Sequence, residues 1–466
     1  MGQSQPNNRR RLLKPQCLNL ANKDWISRTE QIPFISEMGL GSDLCVWLFF
    51  SWLAVGASTV MGSSVMNHGP WGVNVFQRFN VNDHRTLVEC MVARTRTFNV
   101  LKHGAVADGS TDSTQAFTRA WKNACAWKGK MTRILIPKGI FLVGALDFEG
   151  PCKSTVIFNV KGAVKAPTDL NKFEDDVWIH FKRINGLLIT GGGTFDGQGA
   201  SAWPHNHCDN NLNCKLLPTS IKLSFVNGAK VSSISSINSK FFHMNIYKSK
   251  NIKMKFLKIF APENSPNTDG IHIGDSSNVD ISHSRIGTGD DCISVGPGSY
   301  NVTVTNIDCG PGHGISVGSL GRYAGEDNVK GLKVKNCVLR STTNGLRIKT
   351  WANSSPSLAS DFLFENIVMD NVSNPIIINQ QYCPLDYCSQ KSASAIKITN
   401  ISFKNIRGTS ASKVAVKFLC SSKVPCQEVK LSNINIKYNG PGGPALSSCS
   451  YVNGLSSGLQ VPSSCL

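Results

Sequence analysis

Apolar positions along most of this chain recur at every second residue, the period of a β-strand with one buried face. One short pattern dominates: a turn residue, often Asn or Gly, then apolar, any, apolar, and further alternation. It reads GLLITGGGTF from Gly186, GAKVSSISSI from Gly228, NIKMKFLKI from Asn251, NVDISHSRI from Asn278 and NVTVTNIDC from Asn301. It continues as GLKVKNCVL from Gly331, DFLFENIVM from Asp361, AIKITNISF from Ala395 and EVKLSNINI from Glu428. Successive starts lie 42, 23, 27, 23, 30, 30, 34 and 33 residues apart. Short alternating strands at such irregular intervals predict an all-β chain wound as a single-stranded right-handed parallel β-helix, each repeat one coil. In that winding one face of each strand is buried and the other is free to line a groove. A β-sandwich would need turns about every 8–12 residues with hairpin dipeptides, which are sparse here.

The helical period shows convincingly once. Ala116, Phe117, Ala120, Trp121, Ala124 and Cys125 form an apolar stripe, with Asp112 or Ser113 as N-cap. A helix over 112–127 would cover the open N-terminal end of the coil, as solenoids require.

Residues 1–97 do not share this pattern and are read as an atypical leader ahead of a β-helix domain at 98–466. An uncharged stretch runs from Leu44 to Asn67, and its apolar core, within about 44–57, ends in Val55-Gly56-Ala57. That core has the length of a signal-peptide apolar segment and falls short of the ~20 residues of a spanning helix. Its distance from residue 1 is unusual; Met38 is a candidate start, and a membrane anchor is the alternative to a cleaved signal.

Composition narrows the class. Charged residues make up 17% of the chain and hydrophobic ones 41%, which excludes a disordered chain or coiled coil. The formal net charge is +19, and Lys plus Arg exceed Asp plus Glu by 15 in residues 98–466 alone, which favours a polyanionic partner. No nucleic-acid motif or aromatic-interleaved basic run accompanies it, so nucleic acid is not expected. Sixteen cysteines and four glycosylation sequons, at Asn301, Asn353, Asn371 and Asn400, point to an oxidising, secretory route. Spacing suggests the pairs Cys125/Cys152, Cys208/Cys214, Cys292/Cys309, Cys383/Cys388, Cys420/Cys426 and Cys449/Cys465, leaving Cys337 unpaired.

Four polar clusters interrupt consecutive repeats: Asn267-Thr268-Asp269-Gly270, Gly289-Asp290-Asp291-Cys292, Gly312-His313-Gly314 and Arg347-Ile348-Lys349. Asp269 and Asp290 are 21 residues apart, Asp291 and His313 are 22, and His313 and Arg347 are 34, each close to one coil. Stacking would gather three carboxylates beside a histidine, with two cations one coil on. Such a set suits glycoside hydrolysis, in which one carboxylic acid protonates the leaving oxygen and others activate water from the opposite face. Mutual repulsion should raise one carboxyl, keeping it protonated as the acid. Arg347 and Lys349, two apart on a strand, share its outward face and suit a sugar carboxylate. Singly, each cluster is an ordinary turn, loop or solvated face, and three carboxylates could also ligate Ca²⁺; the shared coil spacing is what sets them apart.

In this order and spacing NTDG, GDDC, GHG and RIK resemble the signature of the polygalacturonases, glycoside hydrolase family 28. The resemblance runs from about Thr97 to Leu466 and includes FNVLKHGAVADGSTDSTQAF, GGGTFDGQGASAW and NSPNTDGIHIGDS. GPGHGISVGSLG and TTNGLRIKTW are most similar to the plant, pollen-type exopolygalacturonases. The resemblance implies a pectin lyase-like solenoid and inverting, single-displacement hydrolysis of α-1,4-linked galacturonan without metal or cofactor. It implies Asp290 as proton donor, Asp269 and Asp291 as the general base, and His313 sharing protons with Asp290. Arg347 and Lys349 would bind a galacturonate carboxylate, Asn267 would orient substrate or water, and Tyr382 in INQQYCP would contact substrate. The expected protein is therefore a secreted, monomeric, cell-wall enzyme acting on homogalacturonan. Exo action with release of galacturonate is favoured; endo cleavage by the same residues, or non-catalytic pectin binding, is the alternative.

Overall fold

The structure, a computed structural model, describes residues 95–207, 214–384 and 393–466. The leader segment near 44–57, with Met38, lies outside the described residues, and the first strand is Thr95–Asn99.

The chain winds into a right-handed parallel β-helix. Among the described residues its strands form a sheet of twenty and a sheet of eleven, and every pairing is parallel, from one coil to the next. All nine repeats recognised in the sequence fall in the twenty-stranded sheet. Their alternation is fixed by what stacks inside. Val156, Leu187, Ala229, Ile252, Val279, Val302, Leu332, Phe362, Ile401 and Val429 form one continuous register column and are all buried. Each large apolar side chain so buried is worth roughly 1.5–3 kcal/mol, and every coil of the column except that of Ala229 supplies one.

The turn asparagines have a separate cause. Asn251, Asn278 and Asn301 take φ of 59°, 55° and 59°, a left-handed conformation that asparagine tolerates better than most residues. Their amides donate down a ladder, Asn301 to Asn278, Asn278 to Asn251 and Asn251 to Asn227, at 3.1, 3.1 and 2.9 Å. One residue type thus makes the corner and links it to the next.

The helix spans Thr114–Ala126, with Ser113 in the N-cap position and the Asp112 carboxylate accepting from the Thr114 amide at 2.8 Å. It buries Ala116, Phe117, Ala120, Trp121 and Ala124. Trp121 stacks on Phe148 at 4.7 Å and donates its Nε1 proton to the Glu149 carbonyl, closing the N-terminal end of the core. Cys125–Cys152 ties the helix to the coil, and Cys292–Cys309, Cys420–Cys426 and Cys449–Cys465 form as spaced, with Cys337 buried and free. Cys214 and Cys383 are also disulfide-bonded; Cys208 and Cys388, the partners expected for them, lie outside the described residues. Among the described residues no helix is long and apolar enough to cross a membrane.

Candidate active site

The polar clusters stand on the eleven-stranded sheet. Its strands Ile271–Gly274, Ile293–Val295, Ile315–Leu320 and Asn344–Trp351 pair in parallel, with Ile271, Ile293, Ile315 and Leu346 aligned and buried. Two residues before the first three aligned positions stand Asp269, Asp291 and His313. One residue after them stand His272, Ser294, Ser316 and Arg347. Two polar columns therefore run side by side along the outer face. The register sets Asp269 over Asp291, and Asp290 precedes that column on the turn.

All the sequence-predicted residues meet here. Asp290 Oδ1 lies 2.8 Å from His313 Nδ1, and its Oδ2 accepts from Asn267 Nδ2 at 3.3 Å. Asn267 is held at φ 52°, and its own Oδ1 accepts from Asn206 Nδ2 at 2.9 Å. Asp291 is 1% exposed: Oδ1 accepts from Arg347 Nη2 at 2.7 Å and from Ser316 Oγ at 2.6 Å, and Oδ2 from Lys349 Nζ at 3.0 Å. Arg347 Nε also donates to Ser316 Oγ at 2.9 Å. Asp269 Oδ2 accepts from Ser294 Oγ at 2.6 Å, and Ser294 Oγ lies 2.8 Å from His272 Nδ1. Since the serine proton is directed at Asp269, the imidazole Nδ1–H is the donor in that second bond. Lys349 Nζ sits 5.4 Å above the Tyr382 ring, which packs edge-on against Trp351.

The electrostatics differ from the sequence expectation in one respect. The carboxyl raised well above its ordinary range is Asp269, by burial and by the charges of Asp290 and Asp291. Burial acts on Asp290 in the same sense, but the hydrogen bond and charge of His313, followed by Lys349 and Arg347, outweigh it and hold Asp290 low. Asp290 Oδ1 and His313 Nδ1 stand at hydrogen-bond distance, so a proton can be held between them. Burial, with Lys349 beside it, lowers His272 to about 4, so its ring is neutral near neutrality. The two cations assigned to a sugar carboxylate both bind Asp291. Asp291 in turn keeps Arg347 charged despite its burial.

His272, Ser294, Ser316, Asn206 and Phe242 were not singled out in the sequence. Phe242 occupies the Asp269 position one coil earlier and stacks on His272 at 4.8 Å. A signal for three of them was present: IHIG, ISVG and ISVG begin at Ile271, Ile293 and Ile315, a 22-residue repeat whose second position is the polar column. Asn206 and Phe242 carry no comparable signal, because chain folding outside the strands brings them in. Asp290, Asp291 and His313 each place a ligand atom within 4.8 Å of the others. As a metal site the trio fits poorly, since both Asp291 oxygens are already engaged by cations and hard divalent ions take six to eight oxygens. A cavity of about 470 Å³ lies further along the sheet, lined by Asp147, Lys172, Glu174 and His180 among others, and contains none of these residues.

Comparison with known proteins decides the family. The sequence description "Glycosyl hydrolases family 28" matches residues 125–465. The chain belongs to that family. An exopolygalacturonase of Platanus acerifolia is 50% identical over 366 residues, which cover 78% of this chain and 96% of that protein. A Zea mays exopolygalacturonase is 47% identical over 371 residues, covering 79% and 90%, and a Gossypium hirsutum polygalacturonase 48% over 366 residues, covering 78% and 89%. The family fold recurs in solved structures. An exopolygalacturonase from Thermotoga maritima aligns with a TM-score of 0.65 at 19% identity, covering 80% of this chain and 95% of that one. An endo-xylogalacturonan hydrolase from Aspergillus tubingensis gives 0.66 at 23%, covering 78% and 100%.

Proposed function

We propose that this chain is an exo-acting polygalacturonase, hydrolysing α-1,4-linked galacturonan in pectin and releasing galacturonate. The observation that carries the reading is the division of labour among three adjacent carboxylates. One is hydrogen-bonded to a histidine, one is held between two cations, and one is raised by burial and repulsion. The plant relatives named exopolygalacturonase support the exo assignment.

In the proposed reaction the Asp290–His313 pair delivers its proton to the glycosidic oxygen as that bond breaks. Water attacks the anomeric carbon from the opposite face and yields a proton to the Asp291 and Asp269 side, which gives inversion. Solvent then returns a proton to the pair. Asp291 is placed to accept, its two oxygens held in position by Arg347 and Lys349. The remaining donors of Arg347 and Lys349, with Tyr382, face the sugar carboxylate, and Asn267 orients the substrate beside Asp290. No metal or cofactor is required. The acidic polysaccharide fits the excess of basic charge, and we infer a secreted, extracellular monomer acting in the cell wall.

Incubation with polygalacturonic acid tests this. Galacturonate accumulating from the start, with slowly falling viscosity, is the expected result. Early oligomers with a fast viscosity drop would assign endo action to the same residues. A folded protein yielding no product would overturn the hydrolase reading.

A further inference from the structure

The outer face of the twenty-stranded sheet treats its basic residues in two ways. Towards the C-terminal end several of them are matched, although Lys333, Lys397, Arg407, Lys430 and Lys437 are exposed without an ion pair among the described residues. Lys335 and Lys404 both bind Glu365, Lys330 lies 3.6 Å from Asp361, and Arg340 bridges Asp308 and Asp370. One earlier coil is different. Between residues 248 and 258 the sequence KSKNIKMKFLK places Lys248, Lys250, Lys253, Lys255 and Lys258 on the surface, all exposed. Among the described residues none of the five has a carboxylate within ion-pair distance. Lys230, also exposed, stands in register with Lys253 one coil below, and Arg285 with Lys258 one coil above. Asp280, the acid in register with Lys253, forms no ion pair with it.

Like charges side by side on a sheet are destabilising. A coil that gathers five exposed lysines within eleven residues, with no ion pair to any of them among the described residues, carries a cost that nothing within the fold offsets. The surroundings indicate what would relieve it. Rows of hydroxyls flank the lysines in register: Ser232 below Lys255, Ser282 and Thr305 above it, and Ser277 above Lys250. Phe256, 51% exposed, lies under Lys255 Nζ at 5.4 Å and offers a flat apolar surface. Cations at regular intervals, hydroxyl partners and an exposed ring are the complement of a sugar chain bearing a carboxylate on each unit.

We propose that this lysine coil is a second, non-catalytic binding surface for acidic polysaccharide, holding galacturonan on the flank of the rod while the groove works on a chain end. The choice of polysaccharide rests on the function proposed above. The row begins where the chain leaves the eleven-stranded sheet, Lys248 following Tyr247, the last residue of the strand Met244–Tyr247, and continues along the twenty-stranded sheet. A tethered enzyme would remain near its substrate between cleavages, which matters for an exo enzyme limited to chain ends.

The test compares two triple variants carrying the same loss of charge. One is Lys250→Gln, Lys253→Gln, Lys255→Gln; the other, on the matched region, is Lys330→Gln, Lys335→Gln, Lys404→Gln. Each is made with Asp290→Asn to prevent turnover, and retention on immobilised polygalacturonate is measured from low to high salt. The first triple should bind roughly tenfold or more weakly at low salt and lose much of the parent's salt dependence, while the second stays near the parent. Equal losses in both would reduce the effect to net charge and overturn the proposal, as would full retention by the first. With Asp290 restored, the first triple should hydrolyse trigalacturonate within about twofold of the parent, because none of its positions lies in the groove. A parent that does not hydrolyse trigalacturonate would count against the function proposed above while leaving the retention result readable.

Discussion

Asp269 and Asp291 occupy the same register position one coil apart, and each accepts a hydrogen bond from a serine on the coil that follows. What stands behind the serine differs. Ser294 is backed by the neutral His272, whereas Ser316 is backed by Arg347, with Lys349 closing on the same carboxylate. Asp269, with no cation among its hydrogen-bond partners, is pushed up by burial and by its acidic neighbours. The backbone repeats; the charge does not. A solenoid can thus build two nearly identical carboxylate seats and give them different surroundings through one side chain a coil away, a neutral imidazole behind one serine and a cation behind the other.

The comparison can be broken most severely at Asp291. Asp291→Asn leaves Arg347 and Lys349 buried without their counter-charge, a loss of roughly 3–5 kcal/mol of stability, together with about 10²–10⁴-fold in kcat. Thermal unfolding beside single-turnover hydrolysis reads both, and an unchanged Tm would show that Asp291 does not neutralise the pair. A smaller effect should separate the two serines. Ser316→Ala leaves Asp291 with both cations and should cost a few-fold in kcat. Ser294→Ala removes the hydroxyl that offsets Asp269's upward shift, so it should cost about tenfold and move the acidic limb of the pH profile to higher pH. Matching profiles for the two variants would dissolve the asymmetry. The smallest effect is a gain. Asp269's raised folded pKa means that its contribution to stability is fully present below the unfolded value and is lost as pH rises through the folded one. Asp269→Asn should therefore raise Tm at neutral pH, on the order of 1 °C, and lose that advantage in acid. A variant less stable than the parent at neutral pH would contradict it.

Much of this was legible in the sequence, for a physical reason. In a parallel β-helix, contact between coils is set by sequence interval, so clusters spaced by one coil become neighbours and the period-two pattern names the buried column. Asp269, Asp290, Asp291, His313, Arg347 and Lys349 were found that way. What escaped was the finer register and the partners. Spacing could not tell whether Asp290 or Asp291 lies over Asp269, since they differ by one residue. Nor did it reveal that Arg347 and Lys349 would turn to Asp291, which depends on side-chain direction rather than interval. His272, Ser294 and Ser316 look like ordinary strand residues until the aligned Ile271, Ile293 and Ile315 put them in one line. The nine repeats that disclosed the fold belong to the sheet that does not carry the site, because strands bearing functional polar residues depart most from simple alternation.

The site's position along the rod has a further consequence. Four strands of the eleven-stranded sheet precede Ile271–Gly274, and three follow Asn344–Trp351. In such a stack each layer is secured only by the layers it touches, so loosening begins at the tips and advances inward step by step. The carboxylates stand where that advance arrives last. A molecule frayed at both extremities would still hold its three aspartates at working separation, with the tips serving as sacrificial length around a protected middle.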